Sequence, residues 1–139
     1  MMLLERALQI AVTAHAGQTS KDGSPYILHP LRLMAEMDSD DERIVAILHD
    51  VIEDSNLTLA DLEGEGFASE VLEAIRLLTH EKSVPYEEHV RRIEPHPLAR
   101  KVKLADLRDN ADLRRMTGDE ERDSGRLKKY LRGWMILMD

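Results

Sequence analysis

An adjacent histidine and aspartate interrupt the most apolar helical run of the chain, Ile44-Val-Ala-Ile-Leu-His-Asp-Val-Ile-Glu-Asp54. A run of this kind belongs in the interior, where an unpaired charge is strongly destabilising. A divalent cation satisfies an imidazole and a carboxylate together, because it accepts both as ligands. Read as one continuous helix, the run puts Glu53 at i+4 from His49 and Asp54 at i+4 from Asp50, on one face. That face offers a metal-binding pair and, one turn on, a carboxylate pair able to handle a proton.

The rest of the chain has to enclose this run with little aromatic bulk. Of 139 residues, 42% are hydrophobic and only 4% aromatic, so the core falls to Leu, Ile, Val, Ala and Met. This length fits one domain over residues 1–139. The absence of cysteine excludes disulfides, thiolate metal sites and a cysteine nucleophile. The net charge of −8 argues against a nucleic-acid backbone as partner but not against a small anionic substrate. No apolar stretch approaches the roughly 20 residues that span a bilayer. The start, Met1-Met-Leu-Leu-Glu-Arg6, lacks the features of a signal peptide, so the expected location is the cytoplasm, with no membrane partner.

Periodicity is helical throughout, which predicts a single all-α domain. A first helix is expected over about residues 3–16, ended by Gly17. Gln18 to Pro25 reads as a loop, and His29-Pro30 opens a second helix. Ser39-Asp40 caps the helix that carries His49 and Asp50, and Thr58 starts a short one. Further helices are expected from Phe67 to Leu78, from Pro85 to Ile93, from about Leu98 to Met116 and from Asp119 to Met138. In the last, Trp134, Met135, Leu137 and Met138 read as core, or as a dimer surface if part of the stripe is exposed.

His29, His49, Asp50 and Asp106 have types and contexts suited to one divalent metal, brought from three helices. Mixed imidazole and carboxylate donors suit Mn2+, Fe2+, Co2+, Ni2+ or Zn2+ better than Ca2+. His15 either shapes a cleft floor or caps a helix, whereas His80, His89 and His96 lack ligand-like partners. Arg91-Arg92 and Lys128-Lys129 read as solvated helix faces.

The ordered set H…HD…D resembles the signature of the HD-domain metal-dependent phosphohydrolases. Ala14-His-Ala-Gly-Gln-Thr-Ser-Lys-Asp-Gly-Ser-Pro-Tyr-Ile-Leu-His-Pro30 further resembles the opening motif of RelA/SpoT-type alarmone hydrolases, as do Ala46 to Asp54 and Lys103-Leu-Ala-Asp-Leu-Arg-Asp-Asn110. The resemblance implies an all-helical HD fold, Mn2+ as the usual metal, and removal of the 3′-pyrophosphate from (p)ppGpp. It also implies metal ligation by His29, His49, Asp50 and Asp106. Glu53 and Asp54 match the acidic pair credited with positioning or activating water. Lys21 matches a basic residue near the nucleotide, and Asn110 a residue contacting its sugar. Lys103, one turn before Asp106, is expected to face the same cleft.

Two departures bear on the substrate. Ser20 stands where these hydrolases usually carry an arginine against the guanine base. Asp106-Leu-Arg-Asp-Asn110 replaces the usual Asp-Arg-Leu-His-Asn. The leading expectation is thus a metal-dependent hydrolase of a nucleotide phosphate or pyrophosphate ester. The alternatives are an HD-type nucleotide phosphatase without guanine preference and a non-catalytic nucleotide-sensing module.

Overall fold

The helix carrying the apolar run lies at the centre of the molecule. In the computed structural model, which describes residues 1–139, Ile44 to Leu48 are all buried. A turn that is apolar all round can face water on no side, so neighbours close on it from several directions. The helices are α1 (Leu3–Ala14), α2 (Leu28–Ala35), α3 (Asp40–Leu48), α4 (Val51–Asp54), α5 (Leu59–Glu63), α6 (Ser69–Leu78), α7 (Tyr86–Ile93), α8 (Pro97–Asn110) and α9 (Glu120–Met138). A short 3-10 turn, Leu113–Arg115, joins α8 to α9. The fold is all-α, and its only β-type pairing is an isolated bridge between Thr19 and Pro25. Helix α3 packs against α1, α2, α6 and α8, and α8 in turn meets α7 and α9. No helix is long and apolar enough to cross a membrane.

Local chemistry sets the helix starts. The Ser39 hydroxyl accepts from the Glu42 amide at 3.2 Å while Glu42 Oε1 accepts from the Ser39 amide at 3.2 Å, a reciprocal cap. Thr58 and Asp61 repeat the device on α5. Gly17 ends the α1 turn with a φ of 79°, a conformation costly for any side chain.

Three expectations need correction. First, His49 and Asp50 do not lie inside a continuous helix: α3 ends at Leu48 and α4 begins at Val51. The Ala46 carbonyl, which an unbroken helix would pair with the Asp50 amide, accepts the His49 ring through Nδ1 at 2.7 Å instead. Asp50 takes φ −110° and ψ 0°, which breaks the helical path. Second, the helix expected to reach Met116 stops at Asn110. The Asp112 side chain caps the following turn through the Arg114 amide at 2.9 Å, and Arg115 reaches back to the Asp109 carbonyl. Third, only part of the C-terminal stripe is core. Leu137 is fully buried and Trp134 half-buried, but Met135 and Met138 are 50% and 55% exposed, because α9 lays a single face on α7 and α8.

Candidate metal centre

The break between α3 and α4 turns the His49 ring and the Asp50 carboxylate toward α2 and α8. Donor atoms of His29, His49 and Asp50 all lie within 4.8 Å of one another. From α8, Asp106 Oδ1 comes to 2.9 Å from His29 Nε2 and 3.5 Å from His49 Nε2. Asp50 Oδ2 stands 3.0 Å from His49 Nε2. The structure therefore gathers the four residues singled out in the sequence into one cluster.

Three observations fit this cluster to a divalent cation. His49 Nδ1 is engaged by the Ala46 carbonyl, which leaves Nε2 as the lone-pair nitrogen aimed inward. That Nε2 is buried and, although Asp50 Oδ2 lies 3.0 Å away, no acceptor is aligned with it for a hydrogen bond. The cluster also demands positive charge. Burial disfavours a charged His49, yet Asp50 and Asp106 overcome this and lift its pKa well above the ordinary 6.5. Burial likewise opposes ionisation of Asp50, but the His49 ring outweighs it and brings the carboxyl down to about 2. Two buried imidazoles facing the buried Asp106 and the half-buried Asp50 carboxylates are the donor set of a borderline divalent metal.

Further side chains hold the cluster in place. The Tyr26 hydroxyl donates to Asp50 Oδ2. Lys103 Nζ binds Asp106 Oδ2 at 2.8 Å, and Asn110 Nδ2 binds Asp106 Oδ1 at 3.1 Å. Lys103 therefore faces the cluster, with its charge already paired. On the other side of His29, Nδ1 meets Asp109 Oδ2 at 2.6 Å.

Glu53 and Asp54 follow on α4 and keep contact with solvent. Partial desolvation raises both carboxyl pKa values, and the Asp50 charge adds to it. The His80 amide donates to Glu53 Oε1, and the Asp54 carbonyl accepts Gln18 Nε2 at 2.7 Å. His15 proves buried, paired to Gln18 Oε1 at 2.8 Å and packed against Tyr26 with ring centroids 4.8 Å apart.

Beside His29 opens a cleft of about 200 Å³ lined by Lys21, Arg32, Asn110, Arg115, Arg126 and Tyr130 among others. Arg32 and Arg115 are ion-paired to Asp109 and Arg126 to Asp123 of the same lining, which leaves the Lys21 ammonium as the cation best placed to meet an anionic ligand. Lys21 Nζ donates to the Tyr130 hydroxyl at 3.2 Å across the opening. Ser20 lines the same cleft and offers neither a charge nor a planar surface.

Sequence reasoning missed Tyr26, Arg32, Asp109 and Arg115. A signal existed for two of them: Arg32 is at i+3 from His29 and Asp109 at i+3 from Asp106, so each shares a helix face with a cluster residue. It also missed His96, whose Nδ1 accepts from the Ala99 amide at 3.2 Å and starts α8.

The ordered H…HD…D set, gathered from three helical segments of an all-α fold, defines an HD-type domain. Comparison with known proteins finds likeness to hydrolases of the RelA/SpoT kind. The chain is 45% identical over 76 residues to a guanosine-3′,5′-bis(diphosphate) 3′-pyrophosphohydrolase of Vibrio cholerae, covering 52% of this chain and 11% of that protein. It is 32% identical over 119 residues to a protein of the same name from Aquifex aeolicus, covering 77% of this chain and 17% of that one. A solved structure of a metazoan ortholog of SpoT that hydrolyses ppGpp superposes with a TM-score of 0.78 at 25% identity, covering 99% of this chain and 93% of that chain. The chain spans about a tenth of the length of the Vibrio relative (11%). No protein-family model matches it.

Proposed function

We propose that residues 1–139 form one HD domain that hydrolyses a nucleotide pyrophosphate ester with a divalent metal, Mn2+ foremost, and that (p)ppGpp is the leading substrate. The observation that carries this reading is the convergence of His29, His49, Asp50 and Asp106 in one cluster, with His29 lining a cleft that also holds Lys21, Arg32, Arg115 and Arg126. In this reading those four residues hold the metal, which when bound would acidify a water and polarise a phosphoryl oxygen.

The protein's own groups have separate tasks. Glu53 and Asp54 orient the attacking water and take its proton, and their raised pKa values suit a carboxylate acting as base. The water oxygen bonds to the phosphorus next to the sugar, the bond from that phosphorus to the ribose oxygen breaks, the ribose oxygen takes up a proton to become a hydroxyl, and pyrophosphate is released. Lys21 offsets phosphate charge at the cleft mouth. Lys103 steadies Asp106 while placing a positive charge beside it, and Asn110 sits between Asp106 and the cleft, where the sugar would lie.

A second reading, hydrolysis of nucleotides without guanine preference, is favoured by Ser20, which offers no stacking cation at the position where the hydrolases this chain resembles carry an arginine. A Mn2+-loaded activity screen over ppGpp, dNTPs, nucleoside monophosphates and a generic phosphodiester separates the two. Selective ppGpp cleavage supports the first, and cleavage of another ester without ppGpp turnover supports the second. Absence of turnover on the whole panel contradicts both.

A further inference from the structure

We infer that Asp109, clamped by Arg32 and Arg115, is a positioning residue that fixes His29 for metal binding. The inference rests on the metal-centre reading above. A ligating histidine needs its non-ligating nitrogen tied down, and the two imidazoles of this site achieve that differently. His49 uses a backbone carbonyl, that of Ala46. His29 uses a side chain: its Nδ1 meets Asp109 Oδ2 at 2.6 Å, which leaves Nε2 turned toward Asp106.

The carboxylate is itself immobilised from two directions. Arg32 grips both of its oxygens, Nε to Oδ1 at 2.8 Å and Nη2 to Oδ2 at 2.9 Å. Arg115 adds Nη2 to Oδ1 at 2.7 Å and also bonds the Asp109 carbonyl. A fork of this kind fixes the plane of the carboxylate as well as its position. The Asp109 side chain is only 13% exposed, so water has little room to replace either partner. Outer partners of this sort commonly change metal affinity by about 10–100-fold when removed.

Calorimetric titration of Mn2+ into the metal-free chain tests this. Asp109→Asn is expected to weaken binding by about 10–100-fold with an unchanged circular dichroism spectrum, and Arg32→Gln to weaken it less. Asp109→Glu recovers part of the loss. Equal Mn2+ affinity in wild type and Asp109→Asn overturns the inference and leaves the metal centre standing, whereas a wild type that binds no Mn2+ overturns both. If Asp109→Asn does not fold, histidine nitrogen NMR of the wild-type chain loaded with Zn2+ decides. A hydrogen on Nδ1 of His29, with Nε2 ligating, supports the inference, and a hydrogen on Nε2 overturns it.

Discussion

Asp106 is held from three sides, by His29 and Asn110 at Oδ1 and by Lys103 at Oδ2. Lys103 is nearly buried, and although burial alone would lower its pKa, Asp106 keeps it raised and charged. Removing the partner charge strands that ammonium. Asp106→Asn should therefore destabilise the metal-free chain by about 3 kcal/mol, read from urea unfolding, and should also abolish Mn2+ uptake. His89 acts in the opposite sense. It is buried and stacked on His80 at 4.4 Å, and desolvation, with the Lys103 charge, pushes its pKa down to about 4. The folded state resists protonating it while the unfolded chain, with an ordinary value of about 6.5, does not. Stability is thus complete above about 6.5 and falls as pH drops toward about 4. Melting temperatures of wild type and His89→Gln in EDTA check this, and the variant should lose less over that window. At this scale the sequence disclosed the cluster, with Lys103 and Asn110 beside it, but not Tyr26, Arg32, Asp109 or Arg115. Tyr26 reaches Asp50 across a loop, and no local spacing announces such a contact.

Helix boundaries were legible where a residue and its neighbour three positions on decide them. Ser39 with Glu42 and Thr58 with Asp61 are of that type, and Ser39→Ala should cost about 1 kcal/mol in thermal unfolding. Boundaries set by a side chain reaching back to the main chain were not legible. The end of α3 depends on the His49 ring capturing the Ala46 carbonyl, and the region past Asn110 depends on Asp112 and Arg115. Nothing in hydrophobic periodicity encodes either event. The packing of α9 on α7 turns on one small residue in the same way. A methyl at Gly133 would stand 2.6 Å from the Tyr86 hydroxyl and 3.4 Å from Leu107 Cδ1. Alanine would gain about 1 kcal/mol of helix propensity, but overpacking costs about 1–3 kcal/mol. Gly133→Ala should lower the melting temperature, with the shift confined to stability and Mn2+ affinity unchanged.

Across the whole molecule, the candidate ligands come from α2, from the α3–α4 break and from α8. A metal held by all of them adds a further tie between helices already joined by apolar packing and by ion pairs such as Arg32 with Asp109 and Lys101 with Glu42. Mn2+ at about 100 times its Kd should stabilise the chain by about 2.7 kcal/mol, and EDTA should reverse that gain. The fold class and the gathered donor set were readable because an H…HD…D set needs few residues and each is chemically unusual in its place. Substrate choice was less readable, since the cleft is closed by Arg32, Arg115, Arg126 and Tyr130, which gather only in three dimensions. In the proposed function this gathered site hydrolyses a nucleotide pyrophosphate. The most direct measurement is pyrophosphate release from ppGpp by the chain with Mn2+, with EDTA, and with Mn2+ in Asp50→Ala. Release by the Mn2+-loaded wild type alone, with the variant still folded, is the predicted result; equal release by Asp50→Ala, or none by the wild type while it binds Mn2+, would contradict the account.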